Sequence, residues 1–384
     1  MAGIASGLGG YLAVANGGNQ SSGTQGYAGS QFEVPTRFIP VKSAAGTYDP
    51  HIVQGGPYIR KGQVVDVGSA NVAVYLDAKG TMTGDFMNTS MALLLAQSFG
   101  GYGTGYTGVQ GSQLGVQTST AYSLNSSAGA VGQQYATLQV QDGFWFDMEL
   151  AVPTTQGVLQ YQDYHSCKIT KAEFTFPRDN IVTYNYDWDS AYVSLSSSAT
   201  ASGSEPGNPV PFTMSTTSSL MQVSSNYGSQ TLTNIDGVRK MTVTITPKLA
   251  TDRIYLGNVY KEEPVTNGLI EVALALEMDY TPTAKSDIFD LFVAHEPLIS
   301  SAGNGAQAII APGLLLQAVG NQIASTGVYD TLGFFFPMLW LMSGGEAPLA
   351  GVDIIKNTVM LKATINPYAN AAAYAVLYTA DTGP

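Results

Sequence analysis

Residues Leu269 to Tyr280 read LIEVALALEMDY. Ile270, Val272, Leu274, Leu276, Met278 and Tyr280 alternate with Glu271, Ala273, Ala275, Glu277 and Asp279. Side chains along a strand point alternately to its two faces, whereas a helix brings every third or fourth residue together. The period of two predicts a strand with one wholly apolar face, which must be buried, and one small, acidic face. That acidic face admits two readings: a solvated outer surface, or a surface turned toward something it should not bind.

Similar strand signals recur along the chain. Strands are expected at Phe32–Val41, Asn71–Leu76, Thr81–Phe86, Tyr135–Val140, Phe144–Val152, Cys167–Phe176, Ile181–Tyr186, Arg239–Pro247, Asn357–Asn366 and Ala373–Thr379. Only two short helices are expected. One starts at a cap on Asn88 or Thr89, presents Met91, Leu94, Leu95 and Phe99 on one face, and stops at Gly100–Gly101. The other has Thr281 as cap, Pro282 in its first turn, and Ile288, Leu291 and Phe292 on one face. This pattern predicts a mainly β fold, an antiparallel β-sandwich or barrel with one or two short flanking α-helices and long loops. Residues 1–31 carry no charge and are rich in Gly, Ser, Asn and Gln, so a flexible N-terminal arm is expected there, followed by one β-domain over 32–384. Long loop excursions are expected at 46–70, 100–134 and 194–231, because loop closure costs rise only slowly with length.

Of 384 residues, 45% are apolar and 11% are charged, against about 25% charged in an average soluble domain. So few charges leave the polar surface to Ser, Thr, Asn, Gln, Gly and Tyr, and suggest a chain that buries surface against copies of itself. An ordinary secreted or capsid β-protein would share this composition. The net charge is −12, from 16 basic and 28 acidic residues without a basic run. That excludes a tight grip on nucleic acid, which needs clustered Lys and Arg. The single cysteine, Cys167, excludes an internal disulfide, and His51, His165 and His295 show no metal-ligand spacing. No cofactor is expected. Met1–Tyr11 lacks the positive region of a signal peptide. The longest apolar run, Phe334–Met342, spans 9 residues and contains Pro337, well short of the roughly 20 a spanning helix needs. A soluble protein made in a cytoplasm, with no membrane partner, is expected.

Several local patterns resemble catalytic motifs and fail on context. Gly103, Gly105 and Gly108 form a G-x-G-x-x-G, but a helix precedes it and a Gly/Gln/Ser tract follows, the reverse of a dinucleotide site. His165 and Cys167 share a strand face without a third orienting group, so Cys167 reads as a small hydrophobe. Asp142, Asp147 and Glu149, and Glu262 with Glu263, are read as surface charges. A carbohydrate-active enzyme with two carboxylates would need a cleft that no feature marks.

Four stretches resemble the tail tube (major tail) proteins of long-tailed, siphovirus-type bacteriophages. VPTRFIPV (Val34–Val41) resembles the family's first strand after its glycine-rich start, and YHSCKITKAEF (Tyr164–Phe174) its central tail strand. Residues Thr251–Tyr280 followed by the Ile288–Phe292 segment are the closest in pattern, and VDIIKNTVMLKATINPYANAAAYAVLYTADTGP resembles the family's final hairpin. The long excursions and the apolar block Ala311–Met342 depart from the family, as exterior decorations or added subunit contacts.

The resemblance implies a structural virion protein, not an enzyme. It implies homohexameric rings stacked into a hollow tail tube, assembled in the host cytoplasm, through which genomic DNA passes without specific binding. A tape-measure protein, a distal tip complex and a tail terminator are the implied partners. On this reading Glu271, Glu277 and Asp279 face the lumen, where an acidic wall repels DNA within a screening length of about 8 Å. Arg60, Lys61 and Asp66, in a loop over Pro50–Ser69, are implied as inter-ring stacking contacts. Another virion shell component, a capsid or decoration protein, is the alternative, and a contractile tail would add a sheath.

Overall fold

The computed structural model describes residues 10–17, 32–54, 71–100, 136–137, 144–154, 158–203, 209–215, 220–224, 232–235, 237–256, 258, 260–279, 312–323, 328–343, 356–365 and 372–378. In chain order the elements are β1 (Tyr11–Asn16), β2 (Arg37–Phe38), β3 (Ser43–Gln54), β4 (Asn71–Asp85), α1 (Ala92–Phe99), β5 (Ala136–Thr137), β6 (Phe146–Pro153), β7 (Leu159–Pro177), β8 (Thr183–Ser190), β9 (Tyr192–Ser196) and β10 (Leu220–Ser224). They continue with β11 (Leu232–Asn234), β12 (Val238–Thr246), β13 (Leu249–Ala250), β14 (Val265–Thr266), β15 (Glu271–Asp279), β16 (Gly313–Ile323), β17 (Val328–Phe336), β18 (Leu339–Ser343), β19 (Lys356–Ala363) and β20 (Tyr374–Tyr378). The fold is mainly β, antiparallel throughout its paired strands and not closed into a barrel.

A 12-stranded sheet is organised around β7. The N-terminal part of β7 pairs with β6 and β9, and β6 continues to β1 and β2. Its C-terminal part pairs with β12 and β8. From there β15, β19 and β18 extend one way, and β4 and β3 the other. The change of partners falls at Ser166, whose φ of 51° is held by a backbone N–H donated to Asp147 Oδ1 at 2.8 Å. The second, 6-stranded sheet runs β11-β10-β16-β17-β20-β5.

The two sheets meet over an aromatic core. Phe334 of β17 lies 5.1 Å from Phe174, 5.5 Å from Phe176 and 6.0 Å from Phe99 of α1 (ring centroids). Each β15 residue expected on the apolar face within Val272–Met278 is buried at 1% exposure or less. Such burial contributes about 1.5–3 kcal/mol per large apolar side chain, which fixes the register of these strands. Helix α1 is buried on all sides, and it starts at Ala92 rather than beside Asn88. The Asn88 side chain instead accepts the Val210 N–H and donates to Asp330, so it ties loops together and caps no helix. Gly100 closes the helix with a φ of 87°, as its position suggested.

Several expectations are corrected. Tyr11–Asn16, within the expected flexible arm, is strand β1, largely buried and paired with β6 along its length. Phe32–Val41 contributes only the two-residue β2, since Pro35 and Pro40 have no N–H to donate to a ladder. The first nine residues of the expected 46–70 loop belong to β3. The 194–231 excursion supplies the end of β9, all of β10, and a segment whose Phe212 is 1% exposed and hydrogen-bonds the backbone of Phe86 and Val182. The second helix, the G-x-G-x-x-G and the 100–134 excursion beyond Gly100 lie outside the described residues.

Candidate functional site

The outward face of the β18-β19-β15-β12-β7-β8-β4 sheet is built by the strand period itself. Once the apolar set of each strand is buried, its alternate residues are left facing out. In β15 these are Glu271, Ala273, Ala275, Glu277 and Asp279, all half-buried or exposed. Thr242 and Thr244 of β12 lie beside Ala275 and Ala273, then come Thr175 and Glu173 of β7, then Thr183 and Asn185 of β8. The result is a floor of threonine, alanine and asparagine with charges set into it.

Each of the three carboxylates predicted for the site meets a cation from a neighbouring element. Lys240 Nζ lies 3.1 Å from Glu277, and Arg239 Nε 2.7 Å from Asp279. Glu271 lies 3.6 Å from Lys248 and 3.7 Å from Lys362. Two further pairs share the face, Lys171–Glu173 at 3.2 Å and Lys42–Asp85 at 2.6 Å. Exposed pairs of this kind contribute about 0–1 kcal/mol to stability. Their effect is on the potential of the face, whose ion pairs hold six cations and five carboxylates, near balance, where β15 alone reads as acidic. The strand pattern of β15 reveals its carboxylates but not the lysines that β12 and β19 bring beside them.

At one edge of the same sheet, β3 and β4 leave the body as a ribbon. A Cβ on Gly46 would sit 2.0 Å from the Tyr164 hydroxyl, and one on Gly80 would sit 2.1 Å from the Ala45 carbonyl. Glycine at both of these facing positions lets the hairpin cross Tyr164 and Trp188 closely. β4 pairs with β8 only from Ala78 onward, so Asp49–Gln54 and Asn71–Asp77 pair with each other alone. Six paired rows at about 3.4 Å each project roughly 20 Å. The ribbon displays Tyr48 at its root, Ile52, Val74 and a His51–Tyr75 stack with ring centroids 4.8 Å apart. A two-stranded ribbon with apolar exposed side chains is marginal in water without a partner. Arg60, Lys61 and Asp66 fall between its two strands in sequence, outside the described residues.

Of the carboxylates expected on the surface, Asp147, Glu149 and Glu263 prove buried and Glu262 half-buried. Asp147 accepts the Glu33 N–H at 2.8 Å as well as that of Ser166. Glu149 accepts the Tyr11 hydroxyl at 2.5 Å and the Thr200 and Ala201 N–H groups at 2.5 and 3.2 Å. Asp163 lies opposite Glu149 in the β6–β7 register. Burial, and then the Glu149 charge, push the Asp163 carboxyl up to about 7, and burial pushes Asp147 up to about 6. The cluster clamps β1, Glu33 and Thr200–Ala201 onto the sheet, so its role is structural. Glu263 is fully buried against Lys168. Asp142 lies outside the described residues.

His165 sits between Phe32 and Tyr192, with ring centroids 4.5 and 3.9 Å away, and burial lowers its pKa to about 4. Burial raises the Cys167 thiol well above its ordinary value, the state of an inert core thiol rather than a nucleophile. Among the described residues no group of His, Cys, Asp and Glu is placed to hold a metal ion, and no helix is long and apolar enough to cross a membrane.

A family model for the phage tail tube protein matches residues 22–331. The chain belongs to the phage tail tube protein family. The match spans three of the four resembling stretches, Val34–Val41, Tyr164–Phe174 and Thr251–Tyr280, and most of both sheets. No curated protein matches the chain. A tail tube protein is a structural component of the virion tail, and its family points to assembly with copies of itself rather than to catalysis.

Proposed function

We propose that this tail tube protein closes into six-membered rings that stack head to tail into the conduit for genome delivery, with the outward face of β4–β19 as the wall of the bore. The observation that carries the proposal is the pairing of each of the three β15 carboxylates with a cation on that face. Double-stranded DNA carries about one negative charge per 1.7 Å of its axis, so a wall with unmatched lysines would hold it. A wall of threonine and alanine, with each paired lysine or arginine beside a carboxylate, offers a passing duplex little net attraction. Glu271, Glu277 and Asp279 then act by offsetting most of the charge of Lys240, Lys248, Lys362 and Arg239, a gentler role than a purely repulsive acidic lining.

The β3–β4 ribbon is the inter-ring contact in this reading. Its exposed Tyr48, Ile52 and Val74 need a covering surface, and Arg60, Lys61 and Asp66 in its connection supply polar contacts to the next ring. Head-to-tail stacking is heterologous and open-ended, so length is set from outside the subunit. A tape-measure protein, a distal tip complex and a tail terminator fill that need, with assembly in the host cytoplasm.

The test is the triple variant Glu271→Gln, Glu277→Gln, Asp279→Asn. Tubes are expected to form as in the parent, while DNA co-sediments with them at low salt and virions eject more slowly. Ejection and DNA binding identical to the parent would remove this face from the wall.

A further inference from the structure

The root of the β3–β4 ribbon poses an electrostatic problem. Asp49 and Asp77 form its first row outside the body, directly opposite each other. Like charges at directly opposed positions push two strands apart. The solution comes from the segment between β13 and β14, which reaches Asp77 within β4, Lys168 within β7 and Asp189 near the end of β8. Lys261 of this segment is 1% exposed, and its ammonium lies 2.5 Å from Asp77 and 2.8 Å from Asp189 of β8. Lys79 adds a second contact to Asp77 at 2.8 Å.

The segment is held so that Lys261 cannot drift. Arg253 donates to the Glu263 carbonyl at 2.8 Å, and Glu262 N–H donates to the Arg253 carbonyl at 2.9 Å. Glu263 is locked to Lys168 of β7, and the Tyr260 ring packs 5.0 Å from Tyr192 of β9. Burial would raise the Asp77 carboxyl, but hydrogen bonds from Lys261 and Lys79 outweigh it and hold the group below its ordinary value, so it stays charged.

We propose that Lys261 is a positioning residue that bolts the root of the projecting ribbon to the body, by bridging Asp77 to Asp189 while it and Lys79 offset the Asp49–Asp77 repulsion. The bolt sets the direction in which the ribbon leaves the subunit. Its consequence for assembly rests on the reading of the ribbon as the inter-ring contact.

Hydrogen exchange on the full-length monomer tests the bolt separately from tube formation. Removing Lys261 alone leaves Asp189 buried without its cation, so the informative variant is Lys261→Met with Asp189→Asn. Amides of residues 71–77 are expected to exchange at least tenfold faster in this variant, while those of β12 and β15 keep parental protection. Adding Asp49→Asn is expected to reverse only part of the change, because it removes the repulsion and leaves the bridge broken. Asp49→Asn alone, at an exposed position, is expected to fold normally and to leave ribbon exchange near the parental rate, because the repulsion is already offset. Unchanged ribbon exchange in the double variant, or a loosened ribbon that Asp49→Asn restores fully, would overturn the bolt. A loosened ribbon in subunits that still form tubes would leave the bolt standing and remove the ribbon from the inter-ring contact.

Discussion

Asp163 shows how much of this protein's behaviour depends on single buried groups. Its carboxyl is pushed from an ordinary 3.8 to about 7 by burial and then by the Glu149 charge. The folded state therefore keeps a proton that the unfolded chain releases. Stability contributed by that proton is present at low pH and is lost as pH rises from about 4 to about 7. Asp163→Asn mimics the protonated form and does not titrate. It is expected to stabilise the subunit by about 1–2 kcal/mol at pH 8 and to change little at pH 4, read from denaturant unfolding. His165 runs the other way, since its lowered pKa costs stability as pH falls from 6.5 toward about 4. That effect is common to parent and variant and cancels in the comparison. None of this was legible in the sequence. Asp147, Glu149 and Asp163 are covered by Glu33 and Thr200–Ala201, which lie far in sequence from the strands that carry the carboxylates.

Elements were legible where one face is buried and the other is not. The alternation in β15 placed every side chain on its observed face. It is silent where both faces are covered, as in β16, whose residues Gly313–Val319 are all buried. β1 was missed for the same reason, with four of its six residues buried and glycine-rich sequence on both sides. β3 was hidden by Gly46 and Pro50, turn residues that an edge strand tolerates. The position of β1 makes a prediction. Removing residues 1–17 strips Leu12 and Val14, both at 1% exposure or less, from β6 and leaves its edge unpaired. Two lost core side chains at about 2–3 kcal/mol each imply a loss of about 4–6 kcal/mol, measurable as a lower denaturation midpoint. A truncated subunit of parental stability would mean that β1 is dispensable to the fold.

At the scale of the molecule, the family was legible because its stretches recur in order along most of the chain, and the match over residues 22–331 agrees. The potential of the proposed wall was not. Its carboxylates were visible in one strand, but their partners come from β12, β19 and the β12–β13 connection, and only the sheet brings them together. The same assembly of distant segments creates the Lys261 bolt and the ribbon it holds. These features make one account: a β-sandwich subunit that presents an ion-paired face on its large sheet and a tethered ribbon at that sheet's edge.

The central claim concerns where that face points in the tube. A helical reconstruction of assembled tubes by electron cryo-microscopy tests it most directly. The account predicts six subunits per ring, with Glu271, Glu277 and Asp279 on the bore beside their cations and the β3–β4 ribbon reaching the next ring. A reconstruction that places these three carboxylates on the outer wall, or closes the rings with a different number of subunits, would contradict it.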